Sequence, residues 1–499
     1  MLEALTSALL NYATLDFWLY LIVGVCIGLF FGLVPGLSGM TALAVLLPLI
    51  YGMPPALGLA FLLAAHAIVY TGGSVTAVLL SIPGAPANAA TLIDGFPMTQ
   101  QGRASQAVGA AVTASAVGGV IGAIALFILS WLIADIVLVF GAPEIFVVVL
   151  LGILFISVLG RGSMVKGLIS GGLGMMFAFV GYHLITGAPR ATFGWTYLYD
   201  GFPLIPLALG LFAVPEMIAL ARGGTIAQPT ATFKTSISDV LEGGKEIFRH
   251  WWLTLRSAAI GIGVGIVPGA GGETAPFVAY GSAKESSKNR DQFGKGCIEG
   301  VIAPESANNA KEGGALLPTL ALGIPGSAGM AILLGGFWIV GLEPGPLFLQ
   351  EHLEVAYTMI LALVLGNLLG SGMVILFSRL LTKIPLIRGN FIVPLILAFS
   401  CIGSFIPKSD LWDVLIILPL AALGYALREL GYNRPAFMLG FVLANLAEKY
   451  FFITLDSYGW QGFFLRPISL TMIIFLIIYF NYVRIKTFFS RIFPGRRKG

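Results

Sequence analysis

Apolar stretches close to the length that crosses a bilayer recur along the chain from Phe17 to Val483. A membrane-spanning helix needs roughly 20 predominantly apolar residues. Hydrophobic residues make up 57% of the chain and charged residues 10%, whereas soluble proteins carry about a quarter charged residues. A water-soluble fold is therefore excluded. We predict an all-α polytopic membrane protein with about 11–12 transmembrane helices plus broken or re-entrant helical hairpins.

Basic loops indicate how the chain is oriented, because short loops rich in Lys and Arg stay in the cytoplasm. The most basic segments are 222–256, 284–295, 379–388, 428–434 and the tail after the last apolar stretch. They predict a cytoplasmic C-terminus and an N-terminus on the outside. We divide the chain into a first membrane repeat (1–222), a cytoplasmic connecting segment (223–256) and a second membrane repeat with a basic tail (257–499).

Two segments of the chain resemble each other and predict an internal repeat. Residues 32–41, GLVPGLSGMT, match residues 265–274, GIVPGAGGET, at the Gly, Val, Pro, Gly, Gly and Thr positions. Further on, Gly72-Gly73 and Pro83-Gly84 correspond to Gly313-Gly314 and Pro325-Gly326, with spacings that differ by about one residue. The charge assignment predicts that the two repeats have inverted topology, an arrangement that many secondary transporters use. The alternative is an old duplication kept only for packing.

The Pro-Gly pairs should interrupt membrane helices, because proline removes a backbone donor and glycine relaxes the chain. Exposed backbone groups at membrane depth are tolerated only inside protein or beside a wet cavity, and a restarting helix offers N–H groups to a carboxylate. Alternatively, the serines and threonines there only satisfy kinked helices. The predicted substrate-binding residues are Gly36, Ser38, Gly39, Thr41, Pro83, Gly84, Asn88, Gly269, Gly271, Gly272, Thr274, Asn308, Asn309, Pro325, Gly326 and Ser327.

Ion coupling has three candidate side chains, Glu273, Asp94 and His66, because ionisable groups at membrane depth usually belong to substrate or ion pathways. A packing role is the alternative for His66. Glu299 and Glu312 follow polar sequence and could instead be solvated charges of a cytoplasmic loop. We predict no metal site made of side-chain clusters, although backbone carbonyls at the breaks could hold Na⁺.

An enzymatic function has little support in the sequence. There is no HExxH zinc motif, no GxxxxGK[ST] phosphate loop and no GxSxG elbow, which are the signatures of three common catalytic sites. The three cysteines are isolated and are predicted to be packing residues. We expect a protein that is not an enzyme and has no cofactor. The remaining alternative to a carrier is a passive anion or solute channel built from paired half-helices.

The four interrupted segments, together with a polar segment that precedes the fourth, also resemble a known family. The residues 32–39 (GLVPGLSG), 81–88 (SIPGAPAN), 267–274 (VPGAGGET), 304–310 (PESANNA) and 323–327 (GIPGS) resemble the large membrane subunit of the tripartite tricarboxylate transporter family, the TctA type. The resemblance covers nearly the whole chain. It implies a carrier of the bacterial inner membrane that imports organic acids, such as citrate and other di- or tricarboxylates. The inverted repeats with their matched breaks predict that this import proceeds by alternating access.

The resemblance also implies partners and an energy source. The partners would be a small TctB-like membrane subunit of about four helices, each long enough to span the bilayer, and a TctC-like periplasmic solute-binding protein. Energy would come from a Na⁺ or H⁺ gradient. The sequence does not name the carboxylate, and the specificity would lie partly in the binding protein.

Overall fold

The computed structural model describes residues 2–159, 163–223, 237–268, 272–381, 389–475 and 477, and most of them are helical. The strands in this part of the chain, Gly181–Tyr182 and Pro189–Arg190, form one short antiparallel hairpin. Within these described ranges, six apolar helices are 10–17 residues long, and seven others are long and apolar enough to cross a membrane. The predicted all-α polytopic fold class is confirmed.

The helices of the first half follow one another through mostly short connections. In chain order they are α1 (Leu2–Asn11), α2 (Leu15–Leu33), α3 (Gly39–Leu46), α4 (Pro55–Leu80), α5 (Ala89–Gln100), α6 (Ala104–Ile136), α7 (Ala142–Leu159), α8 (Met164–Ala178), α9 (Leu204–Ala208) and α10 (Val214–Gly223). A π-helical turn, Leu209–Ala213, joins α9 to α10.

The second half continues in the same manner. Its helices are α11 (Ile237–Arg249), α12 (Trp251–Ile266), α13 (Ala275–Ser286), α14 (Glu299–Leu322), α15 (Ala328–Ile339), α16 (Phe348–Glu351), α17 (Leu353–Leu381), α18 (Gly389–Phe405), α19 (Leu411–Leu415), α20 (Ile417–Glu429), α21 (Arg434–Tyr458) and α22 (Gln461–Leu465). Part of the predicted connecting segment, 224–236, lies outside the described residues, and the division into domains stays a prediction.

The order of helices and breaks in α2–α6 recurs in α12–α15 and α17, and we call these ten helices the repeat helices. Each set has a broken hairpin, a long helix with a second break after it, a shorter helix and a final long helix. Helices end at Leu33, Leu80, Ile266 and Leu322. The four predicted interruptions are therefore present.

The two sets of repeat helices pack with exchanged partners. Helix α2 lies along α4, and α12 lies along α14 in the same way. Across the sets, α6 packs against α14 while its counterpart α17 packs against α4. A two-fold relation exchanges contacts in this reciprocal manner. The packing supports a two-fold arrangement of the repeats, and their inverted orientation in the membrane stays a prediction.

In each repeat, the glycine of the second Pro-Gly break packs closely against backbone atoms of the neighbouring helices. A Cβ atom on Gly84 would overlap the carbonyl oxygen of Gly32 and the Cα of Gly73. The equivalent atom on Gly326 would lie 2.6 Å from the Cα of Ala315 and 2.7 Å from the carbonyl oxygen of Gly265. A side chain larger than hydrogen would displace the break in both repeats.

These contacts correct the alignment of the repeats by one residue. Gly32 faces Gly72 and Gly73, and its counterpart Gly265 faces Gly314 and Ala315. Gly72 therefore corresponds to Gly314, and not to Gly313 as the sequence suggested. With this alignment, the number of residues from the glycine to the following Pro-Gly pair is the same in both repeats. Neither repeat therefore contains an insertion in this segment.

A second group of helices packs beside the repeat helices. Helices α7 and α8 lie against α21, and α10 and α20 pack around the π-helical turn. Close approach of α8 to α21 depends on glycine, because a Cβ atom on Gly440 would overlap the carbonyl oxygen of Gly171. Helix α21 also contacts α15. This packing brings the start of α21 next to the breaks.

Candidate functional site

The first and fourth breaks end in helices with serine N-caps. After α2 the chain turns at Gly36, whose φ is +90°, and α3 begins behind Ser38. The Ser38 hydroxyl oxygen accepts a hydrogen bond from the backbone N–H of Thr41 at 3.3 Å. Ser327 accepts one from the N–H of Met330 at 3.3 Å in front of α15. Both helix starts thus carry backbone donors and a hydroxyl, groups that bind anions.

The second break is held by Asn88, the last residue of the short 3₁₀ turn Pro86–Asn88. The Asn88 side-chain oxygen accepts from the N–H of Ala85 at 3.2 Å, and its amide nitrogen donates to the Tyr70 carbonyl at 2.8 Å. The same nitrogen donates to Glu305 at 3.3 Å. Asn88 is fully buried, so it fixes the shape of the break from behind.

In the third break, α12 ends at Ile266 and α13 begins at Ala275 behind Thr274. Two predicted site residues in it, Gly269 and Gly271, lie outside the described residues. Gly272, Glu273 and Thr274 are described, and all three line the cavity that is described next. The start of α13 therefore lies at the same cavity as the starts of α3 and α15.

The four breaks meet around one cavity of about 490 Å³. Its volume falls within the roughly 300–1,000 Å³ of small-molecule sites. The repeat helices and their breaks line it with Ser38, Gly39, Met40, Tyr70, Ala85, Pro86, Gly272, Glu273, Thr274, Phe277, Val278, Ser327, Ala328 and Gly329. The breaks, far apart in sequence, thus share a single site.

The cavity is also lined by a segment outside the repeat helices that we call the arginine wall, made of Arg428, Tyr432, Asn433, Arg434 and Pro435. Arg434 donates to Glu216 at 2.8 Å and to the Leu211 carbonyl at 3.0 Å. Arg428 donates to the Pro215 carbonyl at 3.1 Å and lies 3.2 Å from the same Glu216. One carboxylate thus faces two guanidinium groups, which leaves the wall with a positive balance.

Behind the cavity lies a layer of buried side chains that we call the floor layer: Tyr70, His66, Lys311 and Glu312. Lys311 Nζ lies 2.8 Å from Glu312 Oε1 and 3.5 Å from the centre of the Tyr70 ring. His66 Nε2 lies 3.5 Å from Glu312 Oε2. The Lys311, Glu312 and His66 side chains are 1%, 1% and 0% exposed. A charged layer therefore sits out of reach of solvent beside the site.

Glycines separate the floor layer from the cavity. A Cβ atom on Gly39 would lie 2.7 Å from His66 Nδ1, and one on Gly329 would overlap Cε1 and Nε2 of the same ring. A Cβ atom on Gly272 would lie 2.8 Å from Lys311 Cε. These three glycines also line the cavity. The buried charges are thus as close to the cavity as a backbone without side chains allows.

The structure separates the predicted site residues into two groups. Ser38, Gly39, Gly272, Thr274 and Ser327 line the cavity, as does Glu273. The remaining described residues of the predicted set do not: Gly36, Thr41, Pro83, Gly84, Asn88, Asn308, Asn309, Pro325 and Gly326. Thr41 still supports the site, because its hydroxyl lies 3.2 Å from that of Ser38.

Helix α14 buries a polar face behind the breaks. Glu305 accepts hydrogen bonds from Thr91, from Ser115 at 2.7 Å and from Asn88. Asn309 donates to Thr71 at 3.0 Å and to Asn367 at 2.5 Å. Both side chains are fully buried. They join α14 to α4, α5, α6 and α17, which holds the repeat helices in one arrangement.

The structure decides between the two interpretations of the acidic residues in α14. Glu312 is buried beside Lys311 and His66, so its assignment to a solvated cytoplasmic loop is wrong. The polar composition of the preceding segment suggested a loop, but Lys311 neutralises the charge inside the helix bundle. Glu299 lies at the start of α14 with a side chain 15% exposed, where the loop interpretation still fits.

Asp94 organises the loop before α14. Its Oδ1 accepts from the backbone N–H groups of Gly294, Gly296 and Cys297 at 2.8–2.9 Å, and its Oδ2 accepts from the Tyr280 hydroxyl at 2.9 Å. Asp94 does not line the cavity. Cys297 in this loop is buried, and burial raises the pKa of its thiol. These contacts indicate a positioning role, while ion coupling by Asp94 stays a prediction.

The arginine wall is the part of the site that the sequence analysis missed. The sequence predicts that Arg428 and Arg434 lie in a basic cytoplasmic loop. It predicts an anion site that contains only hydroxyls, amides and helix ends. The sequence carries no local signal for their role. Only the packing of α20 and α21 beside the breaks brings these arginines to the cavity.

Comparisons with known proteins relate the sequence of this chain to one family. The model of the family described as "Tripartite tricarboxylate transporter TctA family" matches residues 18–439. The "Uncharacterized 52.8 kDa protein in TAR-I ttuC' 3'region" of Agrobacterium vitis is 33% identical over 431 residues, 86% of this chain and 85% of that protein. The "Uncharacterized protein in TAR-II ttuC' 3'region" of Agrobacterium vitis is 36% identical over 187 residues, 38% of this chain and 77% of that protein. No solved structure gives a significant match.

Proposed function

The chain belongs to the tripartite tricarboxylate transporter TctA family, and we propose that it is the large membrane subunit of a binding-protein-dependent secondary transporter. Its substrates are organic acids, the di- and tricarboxylates such as citrate. Membership of a transporter family supports transport rather than catalysis. The helices that are long enough to span a membrane support a multi-pass protein, which we assign to the bacterial inner membrane with a periplasmic N-terminus and a cytoplasmic C-terminus.

The observation that carries this proposal is the convergence of helix N-termini on one cavity. The starts of α3, α13 and α15 border it together with the Ser38 and Ser327 hydroxyls. A helix N-terminus stabilises an anion by about 0.3–1 kcal/mol where exposed, and by more where partly buried. Three such helix ends in one cavity form a binding site for a carboxylate group, which we call the carboxylate seat.

The arginine wall supports a substrate with more than one carboxylate. A molecule held at the serine caps by one carboxylate would extend across the cavity toward Arg428 and Arg434. Guanidinium groups bind carboxylates through strong charge-assisted hydrogen bonds. Glu216 already pairs with both arginines, which keeps this attraction moderate and allows release of the substrate.

The division of the cavity between two groups of helices supports alternating access. The breaks belong to the repeat helices, and the arginine wall belongs to α20 and α21. Movement of the repeat helices against this wall, as an elevator or rocking body, would open the cavity first to one side and then to the other. Inverted repeats provide two such states of similar energy.

The remaining parts of the proposal concern partners and energy. The family name implies three components, and we propose a TctB-like small membrane subunit of about four helices, each long enough to span the bilayer. A TctC-like periplasmic protein would deliver the substrate. A Na⁺ or H⁺ gradient drives accumulation.

We expect replacement of the two cap serines by alanine to weaken substrate binding without removing the protein from the membrane. Each cap hydroxyl accepts a helix N–H, and its own proton can be donated to a carboxylate; at Ser38 the Thr41 hydroxyl is then the donor in the contact between the two hydroxyls. A hydrogen bond to a charged group contributes about 1.5–3 kcal/mol, so Ser38→Ala or Ser327→Ala should raise the substrate concentration for half-maximal uptake about tenfold or more. The double variant should show the larger effect.

The matched control is Ser400→Ala, because Ser400 is a buried serine on α18 that donates to a helix carbonyl, that of Ile396, and does not line the cavity. Saturation curves of labelled citrate uptake in vesicles measure all four variants against the unmodified protein. Unchanged saturation in the Ser38→Ala/Ser327→Ala variant would exclude the caps as the carboxylate seat.

A further inference from the structure

The floor layer contains one ionisable side chain whose charge is not balanced within the layer. Lys311 and Glu312 form a close pair, with 2.8 Å between Nζ and Oε1, and their charges cancel. His66 is the third ionisable group and lies 3.5 Å from the second oxygen of Glu312. The layer is therefore neutral with a neutral imidazole and carries one positive charge with an imidazolium.

The His66 ring lies between two of the helix ends that form the carboxylate seat. Gly39 at the start of α3 lies against Nδ1, and Gly329 in the first turn of α15 lies against Nε2. The ring is also edge-on to Tyr70, with 5.4 Å between the ring centres, and Tyr70 lines the cavity. His66 thus contacts three parts of the cavity lining although it is fully buried.

The occupancy of the seat decides which form of His66 is favoured. In an empty site, an imidazolium would face the positive ends of two helices and the ammonium group of Lys311, and only Glu312 would oppose them. A carboxylate at the serine caps adds a negative charge directly across Gly39 and Gly329. Charges interact strongly where the effective dielectric constant is low, so the anion and the proton favour each other.

Two further carboxyl groups lie near the layer: Glu273, which lines the cavity beside Gly272, and the buried Glu305 of α14, which interacts electrostatically with Lys311. Glu312, Lys311 and Tyr70 are the ionisable groups that face the His66 ring itself from the described helices packed around it. The ammonium group of Lys311, which pairs with Glu312, would repel a Na⁺ ion at the Glu312 carboxylate. A proton on His66 requires neither space for an ion nor a set of coordinating oxygen atoms.

We propose that His66 is the proton-coupling residue: it takes up a proton from the side at which the carboxylate enters and releases it with the substrate on the other side. This inference rests on the proposed function of the cavity as a carboxylate carrier. It selects the proton as a coupling ion and gives it a place. The proton crosses with the anion, so the floor layer and the bound carboxylate together move with less net charge.

The test measures proton coupling and citrate transport separately. The chain is reconstituted with its small membrane subunit and binding protein in Na⁺-free vesicles, with the membrane potential clamped. Labelled citrate is the probe, and a trapped pH dye reports proton entry. One proton per substrate lets a gradient of one pH unit drive about tenfold accumulation. We expect the unmodified protein to accumulate citrate and acidify the interior.

The variant His66→Asn keeps a polar side chain but binds no proton in this range. We expect it to lose accumulation driven by the pH gradient and citrate-dependent acidification, while exchange of internal for external citrate continues at a reduced rate. The control His352→Asn changes a histidine that packs on Phe348 away from the cavity and should behave as the unmodified protein.

Two results would overturn the proton assignment alone: accumulation driven by the pH gradient in His66→Asn, or accumulation by the unmodified protein that requires Na⁺ and ignores the pH gradient. Exchange by the unmodified protein tests the carrier function separately. If that protein exchanges neither citrate nor any other di- or tricarboxylate, the proposed function fails and the assignment of His66 fails with it.

Discussion

Glu312→Gln should lower the stability of the protein by about 3–5 kcal/mol and remove nearly all transport, because it leaves a buried ammonium group without its partner. Lys311 Nζ lies 2.8 Å from Glu312 Oε1, and both side chains are 1% exposed. The introduced amide would keep the shape and one hydrogen bond but not the charge. The Tyr70 ring, 3.5 Å from the ammonium nitrogen, offsets only part of the loss. Thermal unfolding in detergent and citrate uptake in vesicles measure the two effects.

The chain contains a matched control for this variant. Lys449 Nζ also lies 2.8 Å from a carboxylate, that of Glu343, but these side chains are 42% and 64% exposed. An exposed pair contributes about 0–1 kcal/mol, so Glu343→Gln should leave stability and uptake nearly unchanged. Two pairs with the same distance and different burial then isolate the effect of burial.

A double variant checks the cause of the loss. Lys311→Met with Glu312→Gln removes both charges, and removal of a whole buried pair is often neutral for stability. We expect this double variant to recover most of the stability that Glu312→Gln loses. Equal stability of Glu312→Gln and the unmodified protein, or no recovery in the double variant, would contradict the interpretation of the floor layer as a compensated charge pair.

Gly84→Val should abolish transport, because the second break has no room for a side chain. Its Cβ atom would overlap backbone atoms of Gly32 and Gly73, and neither can move away as a flexible side chain could. Overpacking in a core typically costs about 1–3 kcal/mol, and more where the backbone must shift. The shift would also move Ala85 and Pro86, which line the cavity. Uptake of labelled citrate and size-exclusion profiles of the purified protein measure the outcome.

Gly263→Val is the control for this substitution. Gly263 lies in the apolar helix α12, and a Cβ atom there meets no atom within 4 Å. This variant should transport as the unmodified protein does. Gly326→Val should repeat the loss seen for Gly84→Val if the two breaks are structurally equivalent. Substantial uptake by Gly84→Val would show that the close contact of the break is dispensable.

The sequence predicts the breaks because their cause is local. Proline and glycine interrupt a helix wherever they stand together in an apolar stretch, and a serine just before the next apolar stretch is an N-cap. Ser38 and Ser327 could therefore be assigned to the site directly. The resemblance between residues 32–41 and 265–274 likewise predicts that the first and third breaks are related.

Other parts of the site depend on packing between distant helices and could not be predicted from the sequence. Arg428 and Arg434 belong to a basic loop, and only the contacts of α20 and α21 bring them to the cavity. Glu312 follows a polar segment in the sequence, and only its contacts with Lys311 and His66 in the folded protein show that it is buried. The one-residue error in the repeat alignment arose because Gly313 and Gly314 are identical in type, and only the contact with Gly265 distinguishes them.

In the proposed function, this chain carries carboxylates that a binding protein delivers, against a gradient and by way of the cavity at the breaks. The most direct measurement is uptake by vesicles that contain the chain and the small membrane subunit, with the binding protein preloaded with labelled citrate. A Na⁺ gradient and a proton gradient are imposed in turn. We expect saturable uptake that requires both the binding protein and a gradient. Flux that ignores both, and rises without saturation, would contradict the account and show a passive channel.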